Sequence, residues 1–338
     1  MNIPYRLKQR TRRALVIVLI IALVLVLVWA CWLLWVQRFI VYTRDEGAVL
    51  DFTLPPQSMD GELAVPPEEV TVPIYYNEGD NAVSTNQELV QLNGYYVSGA
   101  DLQKDVAEVR KQLQTLPMGT PVMVDVKNIH GSFYYSSAVS DSHSNTVDIP
   151  AVDSLMEYLK SSNLYTIARL PALRDYAYGL NHVPDGLPTS GGYLWMDGDG
   201  CYWLNPNSEG TISYLVQIIT ELKSMGFDEV VFYDFYFPET QSIVFSGDKI
   251  QALTDAAAML VSTCATESFG VSFVGNGSWT LPQGRSRLYM ENVEPAQLSA
   301  AVGASGVTDT QIRLVFITEL HDTRFEEYGV LRPLSSAH

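Results

Sequence analysis

The stretch Gly226-Phe-Asp-Glu-Val-Val-Phe-Tyr-Asp-Phe-Tyr-Phe-Pro-Glu239 decides how this chain reads. An apolar run stops on a carboxylate, Asp234, set between Phe232-Tyr233 and Phe235-Tyr236-Phe237. Desolvating an unpaired charge is costly, so a buried strand avoids one in its middle. Asp234 therefore belongs where a strand ends, facing a hollow. Gly226 caps the helix before it and feeds the strand directly. Helix, glycine, apolar strand, carboxylate is the grammar of an α/β fold with chemistry at its strand ends.

Working outward, the same alternation runs from Leu92 onward. Near-continuous apolar runs, as expected of strands covered on both faces, predict strands at Leu92–Val97, Pro121–Val126, Tyr165–Leu170, Glu229–Phe235, Phe269–Val274, Arg287–Asn292 and Ile312–Thr318. Between them lie stripes of 3.6 period: Leu102, Val106, Val109, Leu113 and Leu116; Ile212, Leu215, Val216, Ile219, Leu222 and Met225; Ile250, Leu253, Ala257, Leu260, Val261 and Cys264. A short Ala-rich helix is expected around Glu294–Ala304. Seven strand–helix units over about 240 residues predict a (β/α)8 TIM-type barrel. The eighth strand is weak, with Tyr328–Leu331 its only candidate. No strand is followed by Gly-x-Gly-x-x-Gly, and no phosphate-binding Gly-rich loop with Lys-Ser/Thr occurs.

Upstream of the barrel the chain reads differently. Residues 14–36 are 23 uncharged residues, long enough as a helix to span a hydrocarbon core of about 30 Å. Five cations and no anion precede them, in a basic tail of residues 1–13. That bias predicts a single-pass anchor in the cell membrane, with the N-terminus in the cytoplasm and the rest outside. Trp29, Trp32 and Trp35 crowd the outer end. Val28-Trp29-Ala30-Cys31 faintly resembles a lipoprotein cut site, but the apolar run continues past it, and an uncleaved anchor is the expectation. Residues 37–89 read as an acidic, Pro-containing spacer, and 90–338 as the barrel domain.

From Gln37 onward the chain holds 16 of its 21 Lys and Arg and all 38 Asp and Glu. That argues against nucleic acid, which selects basic patches. Of the three cysteines, Cys31 falls in the anchor, while Cys201 and Cys264 lie outside it and are free to pair or to stay reduced. The five histidines show no metal-ligand spacing, so no metal site is expected, and no cofactor is required.

Chemistry in a barrel sits at the C-terminal strand ends. There the sequence offers Asp125 and Lys127, Arg169, Asp234, Glu291 and Glu319. Two carboxylates flanking a bond are what glycoside hydrolysis needs, one protonated as acid and one ionised as nucleophile or base. Asp234 is assigned as nucleophile or base, and Glu291 or Glu319 as acid, each of the two also readable as a mouth-lining polar residue. Asp125 either serves the site or pairs with Lys127 or Arg169 as a structural bridge. Arg169 and Lys127 are expected to hold substrate or tune the carboxylates. Residues 191–206 carry an Asp-Gly turn between aromatic arms and predict a hairpin beside the mouth. Trp195 and Trp203 on it either stack on sugar faces or pack the hairpin down, while Phe235, Tyr236, Phe237 and Pro238 after Asp234 are expected to offer an apolar, stacking rim for substrate.

Five segments in order resemble one family: Pro121-Val-Met-Val-Asp-Val-Lys127, Gly131-Ser-Phe-Tyr-Tyr135, Tyr165-Thr-Ile-Ala-Arg-Leu170, Trp203-Leu-Asn-Pro206, and Gly226-Phe-Asp-Glu with Asp234-Phe-Tyr-Phe-Pro238. The wording is similar to that of the "putative glycosyl hydrolase domain" family of bacterial, often envelope-attached proteins. The resemblance spans roughly Leu92 to Leu331. It implies a TIM barrel, a polysaccharide of the cell envelope or an exported one as substrate, and Asp125 and Asp234 as site residues. The family's Arg before Phe-Pro is missing here, and Tyr236 stands in its place. That departure opens a second reading, a non-catalytic carbohydrate-binding envelope protein.

Overall fold

The computed structural model describes Trp29, residues 40–43 and 47–50, and residues 89–334. The expected membrane span and most of the spacer lie outside the described residues. Among the described residues, no helix is long and apolar enough to cross a membrane. Contacts divide the chain into two units, Met1–Gly79 and Asp80–His338. In the first, β1 (Ile40–Thr43) and β2 (Gly47–Leu50) pair antiparallel, a ladder the spacer reading did not foresee.

In the second unit eight parallel strands close on themselves. They are β3 (Asn93–Val97), β4 (Pro121–Asp125), β5 (Tyr165–Pro171), β6 (Glu229–Tyr233), β7 (Gly270–Val274), β8 (Leu288–Glu291), β9 (Leu314–Ile317) and β10 (Gly329–Pro333). The weak last strand closes the barrel. Val330 registers with Asn93 on one side and with Phe316 on the other. Two glycines make that seam and its neighbour possible. A Cβ on Gly94 would lie 2.0 Å from the Pro121 carbonyl oxygen, and one on Gly329 3.0 Å from that of Leu314.

Alternation along each strand sorts the side chains into two sets. Outward residues such as Val122, Val124, Val230 and Phe232 pack under the helices. Inward residues stack in layers, as in other barrels. The middle layer is apolar: Met123, Ile167, Val231, Tyr289, Val315 and Leu331. The layer at the N-terminal ends is a closed polar knot, where Glu229 accepts from Arg287, Tyr165 and Tyr289. That knot uses up its own charges and plugs the floor.

Several expected elements are shorter than their apolar pattern. The stripe from Leu102 to Leu116 is two helices, Gly99–Lys104 and Val106–Leu113, because Asp105 turns extended (φ −166°) and its carboxylate caps the second at the Glu108 N–H. The strand expected from Ile312 starts only at Leu314, after a helical turn over Thr310–Arg313. The Arg313 side chain leaves that turn to donate to the Ser286 and Pro282 carbonyls. The Ala-rich helix is confined to Leu298–Ala304. The hairpin over 191–206 is not a regular ladder. It is a loop pinned by isolated bridges, Met196 to Tyr202 and Pro188 to Leu194, with the Asp197-Gly-Asp-Gly200 turn between. Cys201 and Cys264 are both free and buried, so the optional pairing is not made.

Candidate active site

At the C-terminal end the innermost layer is polar, and Arg169 is its hub. Parity places Asp125, Arg169, Tyr233 and Glu291 on the inside of their strands, and Asp125 registers directly with Arg169. Arg169 Nη1 donates to Asp125 Oδ1 at 2.8 Å and to the Tyr96 hydroxyl at 3.0 Å. Its Nη2 donates to Glu291 Oε1 at 2.7 Å. The guanidinium carbon sits 4.1 Å from the Tyr233 ring centroid, a cation over an aromatic face. Burial works against this charge, but Asp125, Tyr96 and Glu291 outweigh it and hold the guanidinium well above its usual range.

Asp125 has little left to offer. Oδ1 is taken by Arg169, and Oδ2 accepts from the Tyr96 hydroxyl at 2.6 Å and the Gly99 N–H at 2.9 Å. Of its two readings, the structural bridge is the one built, through Arg169 and not through Lys127. Glu291 is more open, with its side chain 27% exposed. It lines a cavity of about 420 Å³ together with Tyr96, Arg169, Asn292, Thr318 and Glu319. Glu319 is exposed on the rim of that cavity.

Asp234 answers the question its sequence raised. Strand β6 ends at Tyr233, and Asp234 takes a left-handed conformation, φ 51°. Aspartate tolerates that region better than most residues. The turn aims its carboxylate at Arg174, whose Nη1 lies 3.9 Å from Oδ2. That is an ion pair and too long for a hydrogen bond. Oδ2 is buried without a hydrogen-bond partner. Burial pushes the Asp234 carboxyl up to about 6; Arg174 and Arg169 pull it down, while Glu291 and Asp197 push further up. Asp234 does not itself line the cavity beside Glu291, but a buried carboxyl held near neutrality among charged neighbours is a functional-site signature.

The residues after Asp234 do not all form a stacking rim. Phe235 is buried outside the barrel interior against Phe273 and Trp279, with centroids at 4.7 and 5.1 Å. Phe237 packs on Phe245, and Pro238 is buried. Only Tyr236 stays exposed, its ring edge-on to Trp203. Trp203 itself is buried and donates its indole N–H to Asp197 Oδ2 at 2.9 Å. It packs the loop down and offers no stacking face, whereas Trp195, half-buried, tilts against it at 6.4 Å. Lys127 needs correcting as a substrate-binding residue. Its ammonium is fully enclosed and paired with Asp175, which also accepts from Tyr214 and caps the helix Tyr176–Asn181.

Four site residues escaped the sequence reading: Tyr96, Tyr233, Arg174 and Asp197. Alternation from Val231 along the same strand points to Tyr233, and the strand Leu92–Val97 runs through Tyr96. Arg174 lies in Pro171-Ala-Leu-Arg174, immediately past β5, and strand-end position was the available signal. Asp197 had none, since its role depends on a loop folding back 23 residues to Arg174. A groove of about 460 Å³ beside the helix Tyr176–Asn181 lies apart from these carboxylates. Its central Tyr178 has both ring faces covered, by His182 at 4.0 Å and Tyr214 at 3.9 Å, so it presents no open aromatic face.

The family model described as "Putative glycosyl hydrolase domain" matches residues 94–267. No curated protein matches the chain by sequence. Among solved structures, a hypothetical protein from Ruminiclostridium thermocellum is 19% identical, with a TM-score of 0.45, over 53% of this chain and 96% of its own. The glycoside hydrolase domain of PelA from Pseudomonas aeruginosa is 13% identical, with a TM-score of 0.46, over 72% of this chain and 94% of its own. Aspergillus fumigatus Ega3 in complex with galactosamine is 8% identical, with a TM-score of 0.44, over 75% and 96%.

Proposed function

Because the chain belongs to the family described as "Putative glycosyl hydrolase domain", we propose that the C-terminal mouth of its barrel hydrolyses glycosidic bonds in a polysaccharide of the cell envelope or an exported one. The single observation that carries this reading is the pair Asp234 and Glu291. One carboxyl is desolvated, without a hydrogen bond at Oδ2, and pushed up to about 6. The other lies in the cavity as a carboxylate paired with Arg169. A desolvated carboxyl and one paired with a guanidinium are suited to be the acid and the base or nucleophile of such a reaction.

The surroundings of the two carboxyls favour the opposite assignment to the one expected from sequence. Asp234 is the better proton donor to the departing sugar oxygen, because burial favours its neutral form. Glu291 is the better nucleophile or base, because it meets a guanidinium at 2.7 Å. Asp125 and Tyr96 position Arg169, and Glu319 serves at the rim. The N-terminal segment holds residues 90–338 outside the membrane, next to such a polymer.

The second reading, carbohydrate binding without turnover, has its own support. Arg169 already occupies both Asp125 and Glu291, and the arginine expected before Phe-Pro is Tyr236. Replacing Asp234 by Asn separates the two. Reducing-end release from envelope polysaccharide by the parent, lost in the variant with binding retained, supports hydrolysis. Binding by both proteins with no release by either leaves the binder. Protease accessibility of the barrel in intact cells tests the placement outside the membrane.

A further inference from the structure

Arg174 belongs to no part of the proposed acid–base pair, yet three side chains, Asp197, Asp199 and Trp203, hold it. Its Nε donates to Asp197 Oδ2 at 2.6 Å and its Nη2 to Asp199 Oδ2 at 2.5 Å. Its guanidinium carbon lies 5.8 Å from the Trp203 ring centroid. Asp197 is in turn fixed by the Trp203 indole and by the Asp199 and Cys201 amides. Burial works against the Asp197 charge, but Arg174, the Cys201 amide and the Trp203 indole outweigh it and keep its carboxyl below the usual range. The remaining Nη1 is the one directed at Asp234. The backbone repeats the connection, with Arg174 bridged to Trp203 and Leu204 N–H bonded to the Leu173 carbonyl.

We propose that Arg174 is the positioning residue of this site, and that the loop carrying Asp197 and Trp203 holds its guanidinium so as to set the charge and orientation of Asp234. A guanidinium gripped on two nitrogens has a fixed direction for the third. Asp234 has no hydrogen bond of its own at Oδ2, so its orientation depends on the field around it. The charged and titratable groups acting on it are Arg174, Arg169, Glu291 and Asp197, with the Tyr233 and Tyr236 phenols adjacent. Of these, only Arg174 comes with a dedicated tether from outside the barrel. This assignment rests on the reading of Asp234 as a working carboxyl.

The test does not need turnover. Carbodiimide with an amine trap modifies protonated carboxyl groups, and peptide mass spectrometry reads the extent at Asp234 against pH, scaled to exposed Glu239. With the full-length chain in detergent, the parent midpoint is expected near 6. Arg174→Gln raises it by about half to one pH unit, because the nearest cation is gone. Arg174→Lys keeps the charge and brings the midpoint most of the way back. Asp197→Asn also raises it, because Arg174 loses its main hold. An unmoved midpoint in Arg174→Gln overturns the proposal. So does a fall in Asp197→Asn, since Asp197 would then act only as a nearby negative charge. If Arg174→Gln does not fold, the Lys and Asn variants decide. A parent that shows these shifts and releases no sugar sinks the hydrolase reading while leaving Arg174's role in place.

Discussion

Arg169 reaches Glu291 at 2.7 Å across the barrel mouth, although 122 residues separate them in the chain. Inward parity at the ends of β5 and β8 makes this meeting possible. The same guanidinium holds Asp125, so one cation balances two carboxylates that are only 13% and 27% exposed. The mouth is thus a pre-ordered polar layer laid over an apolar one. What it can do chemically depends on how that single positive charge is shared.

Replacing Arg169 by Met strands both carboxylates in a largely dry site. Breaking a buried pair by removing one partner costs about 3–5 kcal/mol. The urea midpoint at pH 7 is expected to fall accordingly. A variant as stable as the parent at pH 7 would show that the hub is not what holds the mouth together.

Asp234→Asn acts in the opposite direction. The folded carboxyl titrates near 6, above its ordinary 3.8. The sign follows from linkage: the folded state holds its proton more tightly, so stability is lost as pH rises from about 4 to about 6 and stays lost above. Each tenfold in proton affinity is worth about 1.4 kcal/mol. The Asn variant should therefore be more stable than the parent by about 1–3 kcal/mol at pH 7.5, and no more stable near pH 3.5. Turnover should fall at least about 100-fold. Thermal melts at the two pH values check the first expectation, and reducing-end release checks the second.

The barrel was legible because apolar strands and amphipathic helices alternate along the chain from Leu92 onward, even where a helix is split, as at Asp105. Even the feeble Tyr328–Leu331 run found its place, since seven strands leave one slot to fill. The candidate site was legible where it depends on strand ends, as at Asp125, Arg169, Asp234 and Glu291. It was illegible where position depends on which way a side chain leaves the strand. Lys127 lies past the end of β4, and nothing local shows that it turns away from the mouth to Asp175. Asp234 keeps its place in the sequence pattern but gains its role from one left-handed residue. Arg174 and Asp197 meet only because a loop without regular structure folds back, and no periodicity encodes that.

Lys127→Met removes the cation from a pocket where Asp175 has no exposure at all. Asp175 keeps the Tyr214 hydroxyl and the Tyr178 amide but loses its counter-charge. A loss of about 3–5 kcal/mol is expected in chemical denaturation. Glycan affinity of the fraction that stays folded should be unchanged. Weakened glycan binding with stability intact would return Lys127 to the substrate.

The pH dependence of kcat/KM distinguishes the two roles open to Asp234. As proton donor it must carry its proton in the free enzyme, so the rate should fall by about tenfold per pH unit above its titration near 6. As nucleophile or base it must be ionised, and the rate should fall on the acid side of the same value. Burial near Tyr233 and Tyr236 favours the neutral form, and Arg174 opposes it without a hydrogen bond, so the descending limb is the expected one. Arg169 stays charged throughout this range and adds no limb of its own. An ascending limb near 6 that disappears in Asp234→Asn would return the residue to the nucleophile or base role read from its sequence, with Glu291 or Glu319 as the acid.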